Sequence, residues 1–392
     1  MMNYNAVALC AVGAEKVLAN ELRRLNKTSG SGTTYTILES AYGKVRFSAG
    51  LSGIYRALMA LRCADRVLLE AGRFSAAGFD ELFEGAAAIP WEEYVPRGMG
   101  LKINKVRTNR SALKAETAIQ GSVHKAAAQR LCGKYGVNRL PEGPPQAELR
   151  VYIEKDEASV LLDLSGDPLF KRGYRREGGP APLRETSAAA IILLSGWKRK
   201  FALYDPLCGS GTIALEAALY AWNAAPGLGR QFAVSRLNIA SPDAEASVRE
   251  ELKAAVDVTR EIRIRGSDFD KSSVTLAKRN LEYAAKIAFS GVEDAAKCVN
   301  FECLPLSDAK PPDEPAGFVI TNPPYGKRLG DTAGAEAGYR EMSVLAKNFT
   351  GWKLAVICDN KDFESHFGKK ANSRQNFKNG ALDTLLYEYE KL

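Results

Sequence analysis

The sequence predicts an α/β chain: a mostly parallel sheet ending in an antiparallel hairpin, preceded by two small α+β units. Three observations carry this. Past residue 183, short apolar runs at 201–205, 262–268, 298–303, 316–321 and 353–358 alternate with helical segments, the pattern of parallel strands covered by helices on both faces. Near the end, Asn379-Gly380 separates two strand-like runs, which is a hairpin signal. Before residue 164, strands and helices alternate in short elements interrupted by Pro90 and Pro96.

In order, 3–9 reads as a strand and 13–26 as a helix. Residues 43–48 read as a strand, 50–61 as a helix and 65–74 as a strand. Phe79, Leu82 and Phe83 recur at helical spacing within 78–88. A strand near 99–106, a long helix near 113–133 and strands near 147–153 and 159–164 complete this half. These elements fit two small units better than one large sheet. The Gly-, Pro- and Arg-rich stretch 165–182 reads as the linker between halves, and a helix follows at 183–197.

A length of 392 residues predicts two or three domains. The seven cysteines are scattered without CxxC spacing, and His124 and His366 are the only histidines. Neither a disulfide framework nor a metal centre is expected. No apolar stretch approaches the ~18 residues that span a bilayer, and no basic segment precedes the short apolar run at the start. A cytoplasmic protein, with no membrane partner, is the expectation.

The strand FALYD runs into PLCGSGT and then into an apolar helix. Gly209, Gly211 and Ala214 satisfy G-x-G-x-x-A, so a nicotinamide dehydrogenase has to be weighed. Two features oppose it. Asp205 ends the strand where a pyrophosphate would approach, and no Asp or Glu occurs in 223–242, where a ribose-binding acid is expected. A carboxylate there suits a cationic ligand instead. S-adenosylmethionine has a sulfonium, an ammonium and no phosphate. Asp268, at the tip of the second strand, suits the ribose hydroxyls. Asp270 suits a helix cap. Asp308, after the third strand, suits the adenine amino group.

The strand AGFVIT leads directly into Asn322-Pro323-Pro324-Tyr325. Two prolines stiffen the segment and leave carbonyls without neighbouring donors. Asn322 and the Pro323 carbonyl can accept both N–H bonds of an exocyclic amino group on a planar ring, freeing its nitrogen lone pair. Tyr325 can stack on a base turned out of its helix.

Together DPLCGSGT, GSDFD, TNPPYGKRL and LFKRGYRREGGPAPLRE resemble the bacterial THUMP-domain rRNA methyltransferases, which make N2-methylguanine in large-subunit ribosomal RNA. The resemblance spans essentially the whole chain. It implies a ferredoxin-like region at 1–64, a THUMP RNA-binding domain at 65–164 and a Rossmann-like methyltransferase domain at 165–392. By position it implies that Asp205, Cys208, Gly209, Gly211 and Thr212 line the methionine end of the cofactor. Asp268 would hold the ribose, Asp308 the adenine, and Asn322, Pro323, Pro324 and Tyr325 the target amino group. Lys327 stands where that family usually has Glu.

Ten Lys or Arg and one acid, Glu116, lie between Arg97 and Arg139, an excess of nine against a net charge of +8 for the whole chain. The charge is therefore localised, and it falls where the resemblance places THUMP. Lys102, Lys105, Arg107, Arg110, Lys114 and Lys125 are the expected RNA contacts, with Lys114 and Lys125 on one helix face. Lys171, Arg172, Arg175 and Arg176 form a second basic cluster at the linker, suited either to grip RNA or to keep the linker soluble. The reading is an S-adenosylmethionine-dependent guanine-N2 methyltransferase acting on 23S rRNA. Adenine-N6 methylation of DNA and guanine-N2 methylation of tRNA are the alternatives within the same chemistry, and an RNA-binding module without catalysis is the alternative outside it.

Overall fold

The computed structural model describes residues 2–28, 34–175, 183–288, 299–312, 314–324 and 332–392. The first half contains β1 (Asn3–Cys10), α1 (Glu15–Thr28), β2 (Thr36–Ala41), β3 (Lys44–Gly50), α2 (Leu51–Ala60) and β4 (Ala64–Ser75). Then come α3 (Phe79–Ala88), β5 (Gly100–Asn109), α4 (Glu116–Tyr135), β6 (Gln146–Glu154) and β7 (Glu157–Asp163). Among the described residues these strands form one sheet in the order β2-β3-β1-β4-β7-β6-β5.

The strands of the two expected units are thus continuous in one sheet, where the sequence reading favours separate sheets. β4 is 12 residues long, about twice the usual strand. Its Arg66–Leu69 stretch pairs with β1, and its Leu68–Ser75 stretch pairs with β7. A boundary at residue 64 therefore falls at the edge of a shared strand. β2, absent from the sequence reading, pairs antiparallel with β3. β5 is an outer strand of the sheet, and Lys102, Lys105 and Arg107 are exposed on it.

The second half begins with α5 (Glu185–Leu194), β8 (Ala202–Asp205), α6 (Thr212–Ala221), α7 (Pro242–Ala254), β9 (Ile264–Asp268) and α8 (Lys271–Ala288). It continues with β10 (Val299–Cys303), β11 (Gly317–Thr321), α9 (Thr332–Glu341), α10 (Ser343–Asn348), β12 (Lys353–Cys358), α11 (Phe363–Phe367), β13 (Ser373–Asn379) and β14 (Leu382–Tyr389). The strand order is β10-β9-β8-β11-β12-β14-β13. Strands β8 to β12 are parallel. β14 runs antiparallel to both β12 and β13, and the hairpin turns at Asn379-Gly380 as expected. Chain order reverses between β8 and β11, which opens a crevice at their carboxyl ends.

Residues 165–175 are not a solvated linker. Ser165, Leu169, Arg172 and Tyr174 are buried. Arg172 lies against Glu216 of α6 at 3.4 Å, and the Tyr174 hydroxyl donates to the same carboxylate at 3.1 Å. A buried carboxylate needs partners of this kind, so Arg172 is drawn inward from the cationic run. The rest of the stretch, 176–182, lies outside the described residues.

Candidate active site at the strand-order reversal

Every residue of β8 is buried, which leaves Asp205 2% exposed at its end. The Thr321 hydroxyl, at the end of β11, donates to Asp205 Oδ1 at 2.7 Å, and the Leu207 N–H donates to the same oxygen at 3.2 Å. Burial pushes the Asp205 carboxyl up to about 7, with the nearby Asp268 charge adding to the rise and the two hydrogen bonds opposing it. Such a group ionises readily against an arriving cation.

The glycine loop bends over this carboxyl. The Cys208 N–H donates to Ser267 O at 2.9 Å and the Gly211 N–H to Cys208 O at 2.8 Å. Gly209 and Gly211 sit at φ +50 and +82, where side chains are strained. A Cβ on Gly211 would come within 2.9 Å of Phe301, so that glycine lets α6 seat closely. A Cβ on Gly209 would meet nothing within 4 Å, so the backbone there faces open space that a ligand can approach. Burial raises the Cys208 thiol well above its ordinary range, which makes it a lining group and not a nucleophile. Thr212 opens α6, and its hydroxyl accepts from Arg175 Nη2 at 2.6 Å.

Asp268 joins the tip of β9 to this loop. Its Oδ2 accepts the Gly209 N–H at 2.9 Å and its Oδ1 the Asp270 N–H at 3.0 Å. Each oxygen keeps a second lone pair for ligand hydroxyls. Asp270 is the helix cap expected: it accepts from the N–H and hydroxyl of both Ser272 and Ser273, which hold it well below the usual carboxylate range. Asp308 is exposed in the short turn Leu306–Asp308, beyond β10.

Between these strand tips lies a cavity of about 390 Å³. Pro206 and Leu207 wall it from the glycine loop, Phe269 and Leu306 from the β9 and β10 ends, and Pro323 and Pro324 from the β11 end. Phe269 is 76% exposed, a large ring presented at the mouth of an apolar cleft. Sequence reasoning passed over Phe269 and Tyr339, although a Phe between two strand-end aspartates was a visible signal. The buried Tyr339 hydroxyl donates to the Pro324 carbonyl at 3.4 Å and props the segment from α9. Asn322 is half-buried and Pro323 buried. Tyr325 and Lys327 lie outside the described residues.

The donor set fits S-adenosylmethionine. Carboxylates stand at two strand ends for its cationic and ribose portions, the open face of Gly209 admits close approach, and an apolar cleft can take a flat ring. The structure does not bring all the expected RNA contacts to the surface. Lys102, Lys105, Arg107, Arg110, Lys114 and Lys125 are exposed. Lys114, however, precedes α4, because Ala115 is still extended at φ −78 and ψ 91, so it shares no helix face with Lys125. Lys171 is exposed and pairs with Asp167 at 3.0 Å. Arg175 is turned inward to Thr212 and to Glu185, 3.4 Å away. Among the described residues no cluster of metal-ligating side chains occurs, and no helix is long and apolar enough to cross a membrane.

Comparison with known proteins places this geometry. The RMKL-like methyltransferase domain matches residues 172–388, more than half of the chain, and the RlmL ferredoxin-like domain matches 5–68. YpsC of Bacillus subtilis, named as a candidate RNA methyltransferase, is 33% identical over 391 residues, covering 99% of this chain and 96% of that protein. The ribosomal RNA large subunit methyltransferase K/L of Syntrophotalea carbinolica is 33% identical over 394 residues, 96% of this chain and 52% of its own length. The chain thus spans about half the length of the K/L relatives it matches. Among solved structures, a possible methylase from Clostridium difficile 630 superposes with a TM-score of 0.89 at 34% identity, covering 100% of this chain and 99% of that one. SMU.472, a methyltransferase by its description and solved with S-adenosylhomocysteine, gives 0.86 at 35% identity, covering 100% and 99%. A predicted N6-adenine-specific DNA methylase from Listeria monocytogenes gives 0.86 at 35%, covering 99% and 96%. The chain belongs to the family of RMKL-like methyltransferases, and its cofactor is S-adenosylmethionine.

Proposed function

We propose that this chain methylates the exocyclic N2 amino group of a guanine in RNA, with large-subunit ribosomal RNA as the substrate. The observation that carries the reading is the Asn322-Pro323-Pro324 segment at the end of β11, one residue beyond the Thr321 that bonds Asp205. When bound, S-adenosylmethionine supplies an electrophilic methyl group. Asp205 and the glycine loop hold its charged end, and Asp268 its ribose. Asn322 and the Pro323 carbonyl accept the two N–H bonds of the target amine, so its nitrogen turns its lone pair toward the methyl group. Asn322 and Pro323 need only position and polarise, because the donor is already activated. Residues 65–164 are the RNA-binding THUMP module in this reading, 1–64 the ferredoxin-like region and 165–392 the catalytic domain. The relatives named for RNA support RNA as the substrate class.

The second reading is adenine-N6 methylation of DNA. The Asn-Pro-Pro chemistry serves either amine, and one structural neighbour carries that name. Incubation of the full chain with labelled S-adenosylmethionine and either ribosomal RNA, tRNA or DNA, followed by nucleoside mass analysis, decides between them. N2-methylguanosine in 23S rRNA is expected. Label in DNA adenine alone would overturn the proposal.

A further inference from the structure

A second, larger cavity lies at the other end of β8 and α6 from the glycine loop. Its volume is about 660 Å³, and it is bounded by α1, α2, the segment entering β8 and the C-terminal ends of α5, α6 and α7. α6 begins beside the glycine loop and ends here. Its ten residues separate the two sites by roughly 15 Å. Nothing in the methyl-transfer reading uses this space.

The lining is basic: Arg24, Arg56, Arg62 and the run Lys198-Arg199-Lys200. Its two acids, Glu21 and Glu251, are already engaged. Glu21 accepts the backbone N–H groups of Arg62 and Cys63 at 2.9 and 3.0 Å, and Glu251 pairs with Arg56. Three guanidinium groups converge on the Tyr220 ring. Arg199 sits 4.3 Å and Arg62 5.5 Å from its centroid, and Arg24 donates to its hydroxyl at 3.3 Å. Among the described residues, neither Arg62 nor Arg199 has a carboxylate within ion-pair distance.

Helix C-termini attract cations, and that accounts for part of the cluster. Arg62 gives Nη2 to Ala224 O at 2.7 Å, and Arg199 gives Nη2 to Asn223 Oδ1 at 3.4 Å. It does not account for the remaining donors. Arg62 is 7% exposed, and its Nη1 has no hydrogen-bond partner among the described residues; Arg199 Nε is likewise buried and unpartnered. Burial lowers the Arg62 guanidinium to about 10, with Glu21 and Glu216 countering and Arg199 and Arg172 adding to the fall. Guanidinium groups crowded together in this way repel one another unless an anion lies between them and the solvent. The guanidinium fork matches phosphate oxygens.

We propose that this cavity is a phosphate-binding site, in which the half-buried Arg199 beside Tyr220 and the exposed Arg24 and Lys198 donate to a phosphate group and the buried Arg62 adds positive charge behind them. A phosphodiester of bound nucleic acid and free inorganic phosphate share this chemistry. The site is independent of which base is methylated.

Arg199→Gln leaves the buried Arg62 in place, and Lys198→Gln provides a second, exposed variant. In the full chain, inorganic phosphate titrated at constant ionic strength is expected to raise the thermal unfolding midpoint, and Arg199→Gln to abolish that rise. In parallel, the affinity for a single-stranded RNA oligonucleotide is read across salt concentration. A log–log slope flattened by about 0.7 in Arg199→Gln, one contact on a single strand, assigns the site to nucleic acid. An unchanged slope with lost phosphate protection assigns it to the free anion. S-adenosylmethionine affinity measured by calorimetry should stay within about twofold, so a failure of the cofactor reading stays separate. Absence of phosphate protection in the wild type, together with an unchanged RNA slope in both variants, overturns the proposal and leaves the cluster as compensation for helix ends.

Discussion

Thr321, the last residue of β11, donates its hydroxyl to Asp205, the last residue of β8, at 2.7 Å, at the point where strand order reverses. The bond stabilises the ionised carboxylate inside the protein. Thr321→Val keeps the shape and removes the donor. It should push the Asp205 carboxyl still higher and weaken S-adenosylmethionine binding at neutral pH by about 1.5–3 kcal/mol, the worth of a hydrogen bond to a charged group. Thr321→Ser should restore most of the affinity. Calorimetric affinities of the three proteins check this, and equal values would show that the bond only ties two strands together.

The raised carboxyl also sets a pH dependence. Asp205 rises from an ordinary 3.8 to about 7, so between those values the folded protein holds a proton that the unfolded chain has lost. Stability from this group therefore falls as pH rises from about 4 to 7. In the proposed function cofactor binding runs the other way, because there the cofactor's cation meets the ionised carboxylate. Affinity should rise roughly tenfold between pH 6 and 8 as the group ionises. Asp205→Asn should flatten that rise, bind the cofactor weakly throughout and melt higher than wild type at pH 8.

How much of this was legible in the sequence follows from distance along the chain. Asp205, the glycine loop and Asn322 to Pro324 sit on contiguous strand–turn segments, where local spacing is enough to suggest a role. Asp270 as a cap was legible for the same reason, because its partners are two and three residues away. The Thr321 bond joins residues 116 positions apart, and no local pattern announces it. The single N-terminal sheet escaped notice because β4 pairs with strands on both sides, and one of them lies some ninety residues on. Arg175 was read as surface charge because a charge run usually is solvated. A sequence does not say that Glu185 and Thr212 wait for it inside.

Asp268 carries two backbone N–H groups and, in the proposed function, the ribose. Asp268→Ala should weaken S-adenosylmethionine binding by roughly 1.5–3 kcal/mol. The loss of the Gly209 contact should also loosen the loop, so faster hydrogen exchange at Gly209 is expected in the cofactor-free variant. Unchanged affinity by calorimetry would sink the ribose role.

In the proposed function Asn322, one residue beyond Thr321, meets the target amine and not the cofactor. Asn322→Ala should bind S-adenosylmethionine normally and lose on the order of 10²-fold or more in single-turnover rate. A near-normal rate would show that the Pro323 carbonyl alone positions the nitrogen.

The exposed cations of the first sheet make the last prediction. Lys114 and Lys125 are exposed and have no ion pair among the described residues, whereas Arg130 of the same stretch is committed to Glu92 at 2.8 Å. They are among the groups free to meet phosphates, even though they do not share a helix face. If they do, RNA affinity falls steeply with salt, because each neutralised phosphate releases counterions. Removing both charges should weaken binding to all RNA sequences about equally. It should flatten the log–log slope by up to roughly 1.4–1.8, the value for two contacts. S-adenosylmethionine affinity should not change, since neither residue lines the cleft at the strand reversal. The competing explanation is that charge on this side simply keeps the outer strand β5 from pairing with another chain, a common use of edge lysines. In that case Lys102 and Lys105 on β5 matter for solubility, and the double variant keeps its RNA affinity and its slope. Filter-binding titrations at four or more salt concentrations, with sedimentation of the same samples, separate the two.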